Sequence, residues 1–179
     1  MVATFIKEIM SSDQSTQATT EKEVFIKMVI SYWRVVNSRV TDLFNKLSDE
    51  ELSAETAPGR NTGVYLLGHL AAVHDAMFTI LGFGDRLCPG LDEVFLNNPD
   101  KSGLEKPPVS VLRECWNQVS SQLQQHIDAT EADEWFARHN AVSEEDFAKE
   151  PHRNKLNIII NRTNHLSTHL GQLIYLVKK

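Results

Sequence analysis

The sequence predicts an all-α protein, a bundle of four long helices. Three observations point there. Apolar residues recur every three to four positions through four separate stretches. Glycine is scarce inside those stretches, and segments rich in turn formers separate them. The chain has 179 residues, 41% hydrophobic and 23% charged, which suits one domain over residues 1–179. At that size roughly 70% of the unfolded chain's surface can be buried, enough for one core without covalent staples. No internal repeat is present. Residues 1–18, with the polar run SSDQSTQATT, read as a partly ordered lead-in.

The first helix is expected to start near Thr20, where Thr20 and Glu23 form a capping box. Ile26, Val29, Trp33, Val36, Val40, Leu43 and Leu47 follow in alternating steps of three and four, the seam of a helix lying lengthwise on its neighbours. Ser48 to Ala57 is polar, and Pro58-Gly59 marks a break. The second helix spans about Asn61 to Leu81, with Leu66, Leu70, Val73 and Met77 inward and Gly82 and Gly84 to end it. The third spans about Pro108 to Asp128 on the seam Leu112, Trp116, Val119 and Leu123; proline in a first turn costs no helical bond. The fourth spans about Asn154 to Val177, with Ile159, Thr163, Leu166, Leu170, Leu173 and Val177 inward.

Two connections are long. Phe83 to Lys106 is long enough to return along the bundle, which makes helices two and three parallel and the fold a bundle with one crossover. Ala129 to Arg153 is rich in acids and reads as a solvated segment with at most a short helical turn.

Composition excludes several classes. A formal charge of -6 argues against nucleic-acid binding, which favours a basic stripe. No stretch reaches the ~20 apolar residues expected of a membrane span. MVATFIKEIM is too short and mixed for a signal peptide, so the cytoplasm is the expected location. Cys88 and Cys115 form no spaced metal motif and read as two unrelated reduced thiols.

The histidines carry the chemistry. His165 and His169 stand four apart in NHLSTHLGQL, so they stack on one helix face with Cβ atoms roughly 6 Å apart, a spacing at which two imidazoles reach one ion. A pair flanking an apolar seam can equally be buried and hydrogen-bonded without metal. Their stripe, Ile158, Arg162, His165, His169, Gln172 and Leu176, lies one residue from the apolar seam, at the edge of the core. His69, in GVYLLGHLAAVHD, is the natural third ligand: Ala72 and Ala76 on its stripe leave space, or simply let two helices approach closely. Three nitrogens from two helices leave at least one coordination position open, as in catalytic rather than structural sites.

A histidine early in the second helix in the form GHL, with HxxxHxGQ in the last, resembles the DinB-like metalloprotein superfamily over about Thr20 to Val177. His165, His169, Gly171 and Gln172 match the last motif position by position, and His69 matches the helix-two histidine. The resemblance implies an up-down-down-up bundle, a divalent metal on the three histidines, and homodimers. It also implies either enzymes that use a low-molecular-weight thiol or members without known activity.

The remaining candidates rank behind these. Arg162 can hold a substrate carboxylate or pair with a surface acid. Gln172 can orient a ligand or bond between helices. Tyr65 can line the pocket one turn before His69. His126 continues the third seam and reads as core, with a fourth-ligand or supporting role as the alternative. His74 reads as a core or interface histidine, and His139 and His152 as solvated. Asp75 reads as a solvated or salt-bridged carboxylate rather than a base.

Three neutral imidazoles leave the full charge on a zinc, nickel, iron or copper ion. Water or a thiol in the open position is then acidified, for hydrolysis or thiol transfer of a small-molecule substrate. Leu166, Ser167 and Thr168 stand where a protease-type HExxH site carries its glutamate, which tilts the reading toward thiol chemistry. A bundle that binds metal or ligand without turnover is the alternative, and a purely structural dimer the third. Large apolar residues outside the seams, Phe25, Tyr32 and Phe78, also suggest a homodimer.

Overall fold

Capping chemistry sets where most of the helices begin. In the computed structural model, which describes residues 20–178, Thr20 Oγ1 accepts from Glu23 N at 3.2 Å and Glu23 accepts from Thr20 N at 2.7 Å, opening α1 (Glu21–Lys46). Ser48 and Glu51 repeat the device and nucleate a short α2 (Asp49–Ser53) inside the segment expected to be a polar break. Thr62 caps α3 (Gly63–Leu81), which ends on Gly82 at φ +77°, the left-handed conformation that glycine tolerates best. A short α4 (Asp92–Phe95) lies in the crossover. Pro108 precedes α5 (Val109–Ala129), Ser143 caps α6 (Glu144–Lys149), and Asn154 caps α7 (Lys155–Leu173). No strand occurs among the described residues, only the isolated bridges Glu55–Thr62 and Arg138–Asn154. The expected lead-in, residues 1–18, lies outside the described residues.

The order is up-down-down-up. Arg113 of α5 donates to the carbonyl of Leu47 at 2.6 Å, Trp116 donates to Thr41 at 3.0 Å, and Asp128 pairs with Arg34, so α5 runs against α1. Lys155 at the start of α7 pairs with Glu134, whose neighbour Trp135 lies with Ile26 and Ile30 at the start of α1. At the other end Lys178 reaches Glu50, so α7 runs with α1. A Cβ on Gly63 would lie 2.6 Å from Leu176, so α3 starts where α7 ends. His74 packs on Trp116 and Phe78 on His126, so α3 and α5 are parallel.

The seams are buried largely as their spacing predicts, with a small rotation on α1. Ile30 and Phe44 are buried there, while Val29 and Leu43 are only half-buried. An α-helix drifts from a strict 3.5-residue repeat, and α1 meets two neighbours at once, so its buried face is broad. α3 is long and apolar enough to cross a bilayer by composition, contrary to the sequence expectation; 72% of that stretch is buried inside the bundle.

One buried carboxylate organises the crossover. Asp75, fully buried, accepts from Arg86 Nε at 2.9 Å, Leu87 N at 2.7 Å and Cys88 N at 3.1 Å. It is ion-paired as one alternative allowed, but not solvated. The chain then returns along α3: Phe95 packs against Gly68, Tyr65 OH donates to Asn98 O at 2.7 Å, and Thr62 N donates to Asp100 at 2.6 Å.

Three expectations are corrected by this packing. Cys88 and Cys115 are not separate thiols but a disulfide, with Cα atoms 6.4 Å apart. Asp75 pins Cys88 beside α3, and the parallel α5 brings Cys115 to it, a meeting that spacing alone does not reveal. Phe78 is 2% exposed and belongs to the core rather than to a surface. His139 is buried, not solvated, because Asn140 donates to the carbonyls of Ile80 and Thr79 (2.8 Å each) and ties the acidic connection to the end of α3.

Breaking a buried ion pair by removing one partner typically costs 3–5 kcal/mol. Asp75→Ala is therefore expected to lower unfolding free energy by about that amount in urea titrations. A loss within the ~0.5 kcal/mol of an ordinary surface substitution would deny Asp75 this role.

Candidate metal centre

α3 and α7 are antiparallel neighbours, and this sets the site. His165 and His169 lie one turn apart on α7, and His69 on α3 faces them. His69 Nε2 is 3.1 Å from His165 Nε2, and His169 Nε2 is also 3.1 Å from His165 Nε2. One ligand atom from each of the three lies within 4.8 Å of the others, and all three residues are half-buried. Three nitrogens each about 2 Å from a tetrahedral ion stand roughly 3.3 Å apart, so the donor set fits a single transition-metal ion.

The outer nitrogens set the tautomers. His69 Nδ1–H donates to the Phe95 carbonyl at 2.8 Å, and His169 Nδ1–H donates to Gln172 Oε1 at 2.8 Å. Both rings therefore turn an Nε2 lone pair inward, the usual supporting arrangement of a metal-binding histidine. At most one of the two inward lone pairs can take a proton from His165 Nε2, so the other stays unsatisfied without a cation. His165 Nδ1 is buried without a partner.

Burial is the main cause that pushes His165 down to about 4, with His169, His69 and Arg162 adding to it. Burial also lowers His169, opposed in part by its bond to Gln172. Both are neutral at pH 7, with lone pairs free for a metal. Behind them His74, fully buried against Trp116, donates Nδ1–H to Leu70 O at 2.9 Å and is pushed down to about 3, chiefly by burial.

The other candidates divide. Gln172 orients His169. Tyr65 stacks parallel to His69, ring centroids 6.1 Å apart, and its hydroxyl is committed to Asn98 O, so it buttresses the histidine. Burial raises the Tyr65 phenol. Arg162 sits one turn before His165, half-buried, and pairs with no carboxylate among the described residues. His126 is not at the site. It stacks on Phe83, centroids 5.0 Å apart, because α5 runs parallel to α3 and carries it toward the far end, roughly 14 Å along α3 from His69. Among the described residues no Asp or Glu joins the three histidines.

Sequence reasoning missed Phe95 and the part played by Gly68. A Cβ at Gly68 would lie 2.4 Å from the Phe95 ring, so only glycine lets the crossover come close enough to reach His69. A glycine directly before a histidine in an apolar helix is the one local signal; nothing local marks Phe95. On the outer side Gln172 also lines an open groove of about 410 Å³ with Thr56, Ala57, Arg60 and Tyr175.

An up-down-down-up bundle with an open three-histidine cluster between its second and last long helices defines the class. The chain belongs to the DinB superfamily, whose sequence profile matches residues 32–173. No curated protein matches it. The fold is similar to a crystal structure described as a conserved protein from Enterococcus faecalis, with a TM-score of 0.57 at 14% identity, covering 84% of this chain and 93% of that one.

The histidine shifts give a pH prediction. An unfolded histidine protonates near 6.5, whereas folded His165 and His74 do so near 4 and 3. The unfolded state then binds more protons, so metal-free stability is full above about pH 6.5 and falls as pH drops toward 4. His74→Met is expected to flatten that acid limb in urea midpoints measured from pH 8 to 4.5. Curves parallel to the wild type would remove His74 as a cause.

Proposed function

We propose that the protein is a metal-dependent enzyme acting on a small electrophilic molecule, with a low-molecular-weight thiol as the favoured co-substrate. The observation that supports this most is the convergence of three Nε2 atoms, two of them on rings whose other nitrogen is tied to Phe95 O and Gln172 Oε1. A zinc, nickel or iron ion there would supply Lewis acidity, lowering the pKa of a water or thiol in the position the histidines leave open. His69, His165 and His169 would hold it as neutral ligands, leaving its charge undiminished. Phe95 and Gln172 keep two of the rings aimed.

Hydrolysis needs a base to take a proton from water, and no carboxylate joins the cluster among the described residues. A thiol ionises with less help, so thiol transfer is the favoured branch: the thiol loses its proton, sulfur bonds to an electrophilic carbon, and the leaving group departs with the displaced electron pair. The same geometry also supports a second reading, a bundle that binds metal or ligand without turnover.

Elemental analysis of protein purified without a nickel column is expected to find about one divalent ion per chain, lost in His165→Ala. Equal, near-zero metal in both would overturn the metal reading. Metal-dependent turnover of thiol plus electrophile, abolished in His169→Ala, is then expected; a metal-loaded protein silent with thiol, ester and phosphoester substrates would leave the binding module.

We further propose a homodimer closing over the exposed stripe Phe25, Met28, Tyr32 and Val35 of α1. Light scattering at micromolar concentration should give twice the chain mass of 20.3 kDa. A monomer mass would remove the dimer.

A further inference from the structure

We infer that the three-histidine site takes a short-chain carboxylate, with Arg162 as its counter-charge. This rests on the metal reading above and narrows it to a substrate class.

The argument starts from how the chain treats its arginines. Arg86, Arg113, Arg138, Arg153 and Arg162 are all half-buried. Arg86 pairs with Asp75 and Asp92. Arg113 holds Asp49 and two carbonyls, Arg138 donates to Val142 O, and Arg153 pairs with Glu150. Arg162 has no hydrogen-bond or ion-pair partner among the described residues, and its Nε is buried and unsatisfied. Acids are not in short supply, since the chain carries 24 Asp and Glu against 18 Lys and Arg. A partly desolvated guanidinium without a counter-ion is unfavourable unless something else supplies one.

Its position says what. Arg162 stands three residues before His165 on the same stripe, so the two Cβ atoms lie about 5–6 Å apart. Burial lowers the Arg162 guanidinium, and its charge bears on both His165 and His74. Its guanidinium carries one positive charge and offers paired N–H groups, which match the single charge and two oxygens of a carboxylate. A phosphate dianion would call for further cations. With the Arg162 stem and the histidines one turn apart, the carboxylate and the atom directed at the metal belong to one small molecule, a few bonds from each other. A thiol or carbonyl carrying a nearby carboxylate fits.

The test uses 3-mercaptopropionate and its neutral counterpart 3-mercapto-1-propanol as probes, titrated calorimetrically into cobalt(II)-loaded and metal-free protein. The loaded wild type is expected to bind the acid tighter than the alcohol by about tenfold or more. Arg162→Met should bring the two to near equality, while the thiolate-to-cobalt absorption given by the alcohol persists. Arg162→Lys, which keeps charge but not the fork, should fall between them. Equal binding of both probes by the wild type, or undiminished preference in Arg162→Met, overturns the inference while leaving the metal reading standing. Failure to take up cobalt overturns the metal reading. The carboxylate site then falls too, unless metal-free wild type still prefers the acid and Arg162→Met does not.

Discussion

The return of residues 82–108 along α3 depends on one buried carboxylate. Asp75 gathers the Arg86 guanidinium and the backbone N–H groups of Leu87 and Cys88, and so turns the chain back just beyond the end of α3. From there the path leads Phe95 over Gly68, and the Phe95 carbonyl takes the Nδ1 proton of His69. That bond turns His69 Nε2 toward α7. A charge pair distant from the histidines thus decides which His69 nitrogen faces the other two rings. The Cys88–Cys115 disulfide fastens the same point a second time, so the return path does not rest on the redox state of that bond alone.

The site gathers in one place costs that are only scattered elsewhere in the bundle. His165 and His169 are kept neutral by burial, His165 Nδ1 and Arg162 Nε lack partners among the described residues, and inward lone pairs face one another. A core built only for stability would place aliphatic side chains there. Such local conflicts gather at functional positions in otherwise consistent folds, and here they surround the histidines that meet between α3 and α7. A cation and an anion bound together would relieve both kinds of conflict, since the first satisfies the lone pairs and the second the guanidinium.

Much of this was legible in the chain. The capping box at Thr20, the left-handed stop at Gly82 and the inward seams of all four long helices follow from local rules, because caps and periodicity act over a few residues. The length of the first connection already implied a parallel second and third helix. The three histidines stood out through GHL and HxxxHxGQ. What stayed hidden depends on partners far apart in sequence. His126 shares its seam with core residues and looks like a site neighbour until the parallel packing of α5 carries it to the far end of α3. His139 sits in an acidic run yet is buried by the tether of Asn140 to α3.

The sequence by itself determined the all-α class, the four long helices, the crossover and which three histidines gather, through helical spacing and the GHL and HxxxHxGQ motifs. Only the tertiary structure decided that Cys88 meets Cys115, that Phe95 supplies the acceptor for His69, and that Arg162 is left without an acid among the described residues. Those three outcomes depend on which segments lie side by side. In this protein that is settled by the return of the crossover along α3, a placement that no local pattern of side chains encodes.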